Sequence, residues 1–538
     1  MHLHHQAALS LLAGLLVACA QPARLPEPLP LVAPTAVGLA ASVPVEPVIS
    51  AWWQEFGDRR LNTLVDQALA GQPRLQIVAA RLEQARIQSR LAGAAGELQV
   101  GLGADATLQR YTGHGLVPPP IAGTWQTSAN VMVNASWELD FWGRHGAALA
   151  QALGAERAAQ ADMAAARTLL AAEVTRSYIA LAQAGSAADI ARQTLAQRET
   201  MARLTLERVR AGLDTQAEAA LSQARVADAR VQVMAVMERQ TLVRHQLAAL
   251  GAQAPQALDA LAPTLAELAL AAAPAPAGPP AADAPARATA TTDARLGTQA
   301  GGTPSGAAAR ATMPRLGADL LGRRADLVAA RARVDAAAQG VTVARGRFYP
   351  DLHLNVFAGL SALGLDKLVD IGSRTYGAGP ALRLPLFDTP GLNAQLGSRA
   401  ADYDAAVAAY NGAVIDAARA AADALALRSS LAGQIDQQAD ALAQATEAWR
   451  IARTRYDAGL SGYLQVLAAD DLRLAQERAA TELRARALDA QVQLMHALGG
   501  GWDASELAPA PHPSAAAGAH PASTAAWSTP TGAAVRRD

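Results

Sequence analysis

The stretch from Thr124 to Gly212 constrains the fold more than any other. It opens T-W-Q-T-S-A-N-V-M-V-N-A-S-W-E-L-D-F-W-G and runs on without a proline. Thr127, Ala129, Val131, Val133, Ala135, Trp137 and Leu139 fall on one face, while Gln126, Ser128, Asn130, Asn134, Ser136, Glu138 and Asp140 fall on the other. Alternation of period two with one apolar and one polar face predicts a β-strand. After Gly143 the pattern changes. His145 to Arg210 is a run of 66 residues rich in Ala, Arg, Glu, Gln and Leu, all good helix formers. At 1.5 Å per residue it makes a rod of about 99 Å, too long for an ordinary globular domain. Whatever the chain folds into must accommodate a long strand feeding that rod.

Prolines mark where other long helices are allowed, because an interior proline removes a hydrogen bond and clashes with the preceding turn. None occurs between Pro73 and Pro118, between Pro120 and Pro255, or between Pro390 and Pro509. Leu61 to Ala92 reads as a first helix, with Leu61, Leu64, Val65 and Leu69 on one face and Val78, Leu82 and Ala85 continuing it past Pro73. Glu97 to Tyr111 alternates as a strand, Gly113 to Gly123 is a loop, and the strand and rod above follow. Gly212 ends the rod, and a shorter helix is expected from Leu213 to Leu250.

The series then recurs, so an internal repeat organises the chain. Ala79-Ala80-Arg81-Leu82 is answered by Arg331-Ala332-Arg333-Val334, and strand Glu97–Tyr111 by Asp351–Ser361. The end of the second strand is answered by Leu382-Arg383-Leu384-Pro385-Leu386-Phe387, and Arg208-Val209-Arg210-Ala211-Gly212-Leu213 by Arg455-Tyr456-Asp457-Ala458-Gly459-Leu460. The second rod, Gly391 to Ala458, spans 68 residues or about 102 Å. The two short helices of the first half sum to 70 residues, about 105 Å, so stacked end to end they match one rod. Leu460, Leu467, Leu474, Thr481, Leu488 and Met495 lie seven apart, as do Leu396, Tyr403 and Tyr410 beside Ala400, Val407, Val414 and Ala421, a coiled-coil spacing. Aromatics make up only 4% of the chain, which suits closely packed helices better than a large interior.

Four amphipathic strands cannot close a barrel, for which about eight is the smallest useful number, and as an open sheet they would leave two edges unpaired. Several copies must therefore share one barrel, with lipid outside and water inside. Counting gives eight strands for a dimer and twelve for a trimer and does not choose between them. No run of eighteen apolar residues exists to form a membrane-spanning helix.

The single cysteine stands at the end of a short apolar segment, in Leu16-Val17-Ala18-Cys19, preceded by His2, His4 and His5. This predicts a signal peptide over 1–18. L-V-A-C resembles the bacterial lipobox, which implies that Cys19 is acylated; a plain secretory signal is the alternative. Residues 19–60 are expected to be a lipid-anchored extended segment, 61–251 the first repeat, 252–315 an Ala/Pro-rich linker, 316–501 the second repeat and 502–538 a disordered tail.

Taken with W-W-Q-E-F-G-D at Trp52, S-W-E-L-D-F-W-G-R at Ser136, R-V-R-A-G-L at Arg208, R-R-A-D-L at Arg323, R-F-Y-P-D-L at Arg347, G-P-A-L-R-L-P-L-F-D at Gly379 and R-Y-D-A-G-L at Arg455, the chain resembles the outer-membrane efflux factors, TolC-like channels of the lipoprotein (NodT) branch. The resemblance spans Trp52 to Gly501 apart from the linker. It departs from the family at Ala325, where proline is usual. The resemblance implies a mainly α fold with membrane β: a homotrimer with a twelve-stranded outer-membrane barrel, continued by a periplasmic α-helical barrel. It also implies a periplasmic adaptor and an inner-membrane RND-type pump as partners, with outer-membrane lipid around the barrel.

In that family the tip turns meet the adaptor, which here points to Ala211, Gly212, Leu213, Ala458, Gly459, Leu460 and Ser461. The bland alternative is that each glycine only ends a helix, and both can hold. Family gate acids follow a V-L-D-A pattern; here Val466-Leu467 is followed by Ala468, leaving Asp470 and Asp471, with Asp214 and Glu218 in the first half and Arg455 and Tyr456 as latch partners. A solvated charged face is the alternative for the acids.

No phosphate loop, H-E-x-x-H or G-x-S-x-G motif occurs, so neither an enzyme, a cofactor nor a metal is expected. A formal net charge of −1 gives no reason to expect nucleic acid. The expected function is a passive exit duct for drugs or other small solutes. The rivals are a type I protein-secretion or metal-export duct, and a lipid-anchored helical scaffold that does not conduct.

Overall fold

The computed structural model of the chain describes residues 22–38, 49–270, 320–385 and 387–503. Cys19, the signal segment, and most of the expected linker and of the expected C-terminal tail lie outside these residues. Two helices come first, α1 (Arg59–Gly71) and α2 (Pro73–Ala94), followed by strands β1 (Gln99–Arg110) and β2 (Trp125–Leu139). The rod α3 (Arg144–Arg210) and the shorter α4 (Gln216–Leu250) complete the first half. A single turn α5 (Leu320–Arg323), then α6 (Ala325–Gly346), β3 (Asp351–Leu363), β4 (Arg374–Arg383), the rod α7 (Thr389–Asp457) and α8 (Tyr463–Ala497) form the second.

The rods have 67 and 69 residues, about 100 and 104 Å. Asp140 caps α3 from outside, accepting from the amides of Arg144 (2.6 Å) and Gly146 (3.0 Å). Along α3 pack α2 and α4 on one side and α6 and α8 on the other, while α7 packs on α6 and α8. Each rod is thus flanked by two shorter helices in succession. The seam of sevens is buried at Leu396, Val407, Val414 and Ala421 on α7, and at Leu467, Leu474, Leu488 and Met495 on α8. Leu460 is not part of it and stands exposed.

Four sequence readings change. The helix expected over 61–92 is two helices, because the ring of Pro73 excludes the preceding turn; Gln72 is extended, with φ −67° and ψ 118°. Its freed side chain donates to the carbonyls of Ala249 (3.2 Å) and Leu250 (2.9 Å), capping α4. Helix α4 starts at Gln216 rather than Leu213, since Thr215 is its N-cap. The segment expected to be extended before residue 60 contains a 3-10 helix at Trp52–Phe56, with Trp52 and Phe56 fully buried. The start of the expected linker, 252–270, is packed structure with two 3-10 turns, Pro255–Leu258 and Leu265–Glu267.

Those last two stretches build the main core, midway along the rods. Trp52, Phe56, Leu61 and Val65 meet Val174, Tyr178 and Leu181 of α3, Leu247 of α4, Leu258, Leu265 and Leu268, and Leu488 and Val492 of α8. Arg484 of α8 ties the former linker down by donating to the carbonyls of Leu265 (3.0 Å) and Leu268 (3.2 Å). Asp58 accepts from Tyr178 Oη (2.5 Å) and pairs with Arg60. Burial pushes the Asp58 carboxyl up, but hydrogen bonds from Arg60 and Tyr178 outweigh it and hold it below the usual carboxylate range.

Before this core the chain forms a strap along α7. The amides of Ala23, Leu29 and Val32 donate to Asn393, Asp404 and Asn411 in turn, at 2.8, 3.1 and 2.9 Å. Leu25, Val32 and Val37 pack into apolar clusters formed by α6 and α7.

The strands make one antiparallel sheet in the order β1-β2-β3-β4, with β2 and β3 joining the halves. β4 ends at Arg383, so Leu384 and Pro385 lie past the ladder. Leu102, Val133, Ala358 and Tyr376 share one row of the apolar face, and Gly101, Asn134, Phe357 and Gly377 share one row of the other. The apolar face is bare in a single chain: Leu102 is 72% and Tyr376 82% exposed.

Candidate functional site

The two rods end in the same way. Gly212 (φ +73°) donates to the Val209 carbonyl at 3.0 Å, and Leu213 to that of Arg208 at 2.8 Å. Gly459 (φ +70°) donates to Tyr456 at 2.8 Å, and Leu460 to Arg455 at 2.8 Å. This is the six-to-one, five-to-two pattern of a Schellman cap, and the left-handed position explains both glycines. It does not explain the leucines. A hydrophobe after such a cap usually folds back on the helix, yet Leu213 is 65% and Leu460 71% exposed.

The tips differ in what locks them. In the first, Asp214 pairs with Arg208 at 2.6 and 3.1 Å, and Arg208's hydrogen bond holds the Asp214 carboxyl below its usual range. Thr215 and Glu218 form a reciprocal capping box at the start of α4. In the second tip, Ser461 and Gly462 replace Asp214 and Thr215, and α8 has no side-chain cap. Arg455 is exposed there, with no ion pair among the described residues, and Ser461 Oγ is buried without a hydrogen bond. Tyr456 packs on Tyr463 with ring centroids 4.8 Å apart.

The remaining gate candidates are paired as well. Asp470 meets Arg473 at 2.9 Å on its own helix, and Asp471 meets Arg198 of α3 at 2.6 Å. All four acids singled out from the sequence therefore have partners within this chain. Their basic partners, Arg208, Arg198 and Arg473, were not singled out; for Arg208 the spacing of six to Asp214 across a glycine turn was the available signal.

The polar face of the sheet carries its own network. Asn130 Nδ2 donates to Asp105 (3.0 Å), and Ser361 Oγ donates to Asn130 Oδ1 (2.7 Å), linking three strands in one row. Where strands give way to rods, Glu138, Asp351 and His353 are the only group among the described residues close enough to share a metal ion, within 4.8 Å. Arg144 takes that place instead, pairing with Glu138 and lying 3.8 Å from Asp351. Nearby, Trp142 donates to the Pro350 carbonyl at 2.9 Å and stacks on Tyr349 at 4.7 Å, fastening the two halves together.

Each half thus repeats a strand pair and a rod of about 100 Å, and the family model for outer membrane efflux proteins matches residues 64–266 and 316–500. The chain belongs to the outer membrane efflux protein family. Among relatives of this efflux protein, the multidrug resistance outer membrane protein MdtQ of Escherichia coli O6:H1 is 28% identical over 462 residues, 84% of this chain and 88% of that protein. MdtP of Shigella flexneri, also a multidrug resistance outer membrane protein, is 30% identical over 464 residues, 85% and 87% of the two chains. The crystal structure of the outer membrane protein VceC from Vibrio cholerae superposes with a TM-score of 0.70 at 32% identity, covering 84% of this chain and 99% of that one. The outer-membrane channel OprN shares the fold at a TM-score of 0.71 and 23% identity, over 90% and 100%. The efflux protein is accordingly an outer-membrane channel, with its strands in the membrane and its rods forming a periplasmic helical tunnel.

Proposed function

We propose that three copies of this efflux protein form one duct, through which an inner-membrane RND-type pump, joined by a periplasmic adaptor, expels drugs or other small solutes. The observation that carries the reading is the sheet: apolar on one side, polar on the other, continuous with two 100 Å rods, and open at both edges. Among the described residues, β1 and β4 each have one unpaired side. Joining β4 of one copy to β1 of the next satisfies both edges, and three copies give twelve strands with lipid outside and water inside.

Two features support the finer parts. The strap holds Ala23 to Asn393 in the first turns of α7, just after the last strand. Four residues reach at most about 14 Å, so acyl chains on Cys19 fit a leaflet at the periplasmic rim of the barrel. At the far end, Leu213 and Leu460 offer a low apolar surface to a helical hairpin of the adaptor. The unlocked second tip, with Arg455 in no ion pair among the described residues, suits the moving part of a gate, and the stapled first tip the fixed part.

The test is to express the chain in a strain deleted for its own efflux channel, with the matching pump and adaptor, and to follow dye efflux and drug susceptibility. Restored efflux, with detergent-extracted protein at three times the chain mass, is the expected result. A stable monomer, or full trimer and membrane insertion without any export, would refute the proposal.

A further inference from the structure

We infer that Asp105 makes the membrane section of this duct selective for cationic and neutral solutes over anionic ones. The inference rests on the channel reading above and adds a residue that sets what passes.

The interior positions of β1 are Gln99, Gly101, Gly103, Asp105, Thr107 and Gln109. The positions of β2, β3 and β4 that share the polar face at those levels carry no charged side chain. Asp105 is therefore the one formal charge on this wall between the rim and the neck, among the described residues. The acids at the neck do not add to it, because two cations match them: Arg144 pairs with Glu138 and lies 3.8 Å from Asp351, and Arg383 stands across from Asp351 in the register.

The carboxylate is also held in place. Asn130 donates to it, and Ser361 holds Asn130 in turn, so the group is fixed by neutral dipoles rather than cancelled by a cation. The wall around it is low on its own strand. A Cβ at Gly101 or Gly103 would meet nothing within 4 Å, so no neighbouring bulk on β1 covers Asp105, although Met132 and Phe357 stand on the same face of β2 and β3. In the trimer three copies of Asp105 form a ring at one depth. A ring of like charge inside a low-dielectric sleeve focuses the field, concentrating cations and repelling anions. At the other end of the duct, Asp214, Asp470 and Asp471 are each matched by an arginine, so these three acids add no unbalanced negative charge there.

The experiment is reversal potential in planar bilayers under a KCl gradient, with the purified full-length protein. Wild type should prefer potassium. Asp105→Asn should lower the cation-to-anion permeability ratio by roughly threefold or more, and Asp105→Arg should invert the preference. Thr107→Lys, which leaves Asp105 and its hydrogen bonds untouched but adds a counter-charge on the same face, should act like Asp105→Asn. A wild type that conducts with anion preference, or variants that conduct with the wild-type ratio, would overturn the assignment while leaving the channel standing. A wild type that does not conduct would remove the channel reading and this inference together.

Discussion

The exposed leucines at the tips give the sharpest test of how the duct meets its partner. Leu213→Glu combined with Leu460→Glu leaves both glycine caps intact, because the cap bonds are made by backbone amides. Full burial of a leucine is worth about 1.5–3 kcal/mol. With some two-thirds of each side chain in water, docking can still recover about 1–2 kcal/mol per leucine, or about 2–4 kcal/mol per chain. At 1.4 kcal/mol per tenfold, the double variant should weaken each docking contact by about 30- to 700-fold. Folding should change little, since substitutions at exposed positions stay within about 0.5 kcal/mol. The assay is paired: trimer mass and heat resistance of the extracted protein, and dye efflux from cells carrying pump and adaptor. The expected result is an unchanged trimer with efflux near that of a deletion strain. Retained efflux at normal protein level would refute the docking role. Loss of the trimer would show that these leucines pack between copies instead.

Four further outcomes are expected. Cys19→Ser should abolish labelling by a fatty-acid probe, and equal labelling of both proteins would end the lipoprotein reading. Val131→Arg should impair assembly by about 2–4 kcal/mol more than Asn130→Arg, measured by urea unfolding in lipid, because only the first puts charge on the lipid face. Ala325→Pro should raise stability by about 0.4–1 kcal/mol in a thermal melt. Ala325 is the first residue of α6, where no amide partner is lost, and Arg324 already has the extended backbone that precedes proline. Asp58 has a depressed folded pKa, so its contribution is complete above its unfolded value of about 3.9 and is lost as pH falls through the folded pKa. Melting temperature should therefore fall less steeply below pH 4 in Asp58→Asn than in wild type, and identical slopes would contradict the assignment.

The strands and rods were legible because their surroundings impose a period. β2 has water on one side and an apolar environment on the other, so its residues alternate with Met132 as the one apolar side chain on the polar face, and α3 holds no proline over its whole length. The break at Pro73 was harder to read, since the apolar face of Leu61, Leu64 and Val65 resumes at Val78 as though one helix continued. The 3-10 pieces at Trp52–Phe56 and 252–270 have no long period to detect. Their signal was local: Leu258, Leu261, Leu265 and Leu268 recur at threes and fours within a stretch otherwise rich in Ala and Pro. The acids near the tips could be found in the sequence, but their electrostatic state could not. Whether Asp471 is free or neutralised depends on Arg198, which lies 273 residues earlier and reaches it only because α3 and α8 pack together.

The sheet that joins the halves also sets an order of assembly. β1 and β2 are separated by 14 residues (111–124), and β3 and β4 by 10 (364–373), so each pair can zip as a local hairpin. β2 and β3 are separated by 211 residues (140–350). By loop-closure entropy alone, that pairing costs roughly 2 kcal/mol more than closing the first hairpin, and contacts so distant in sequence form slowly. The rods α3 and α7 shorten the search, because the packing of α6 against both brings the start of β3 to the end of β2 before any strand has to meet its partner. On this order the periplasmic helices template the membrane sheet, and damage to the rod packing should appear first as hairpins that never join.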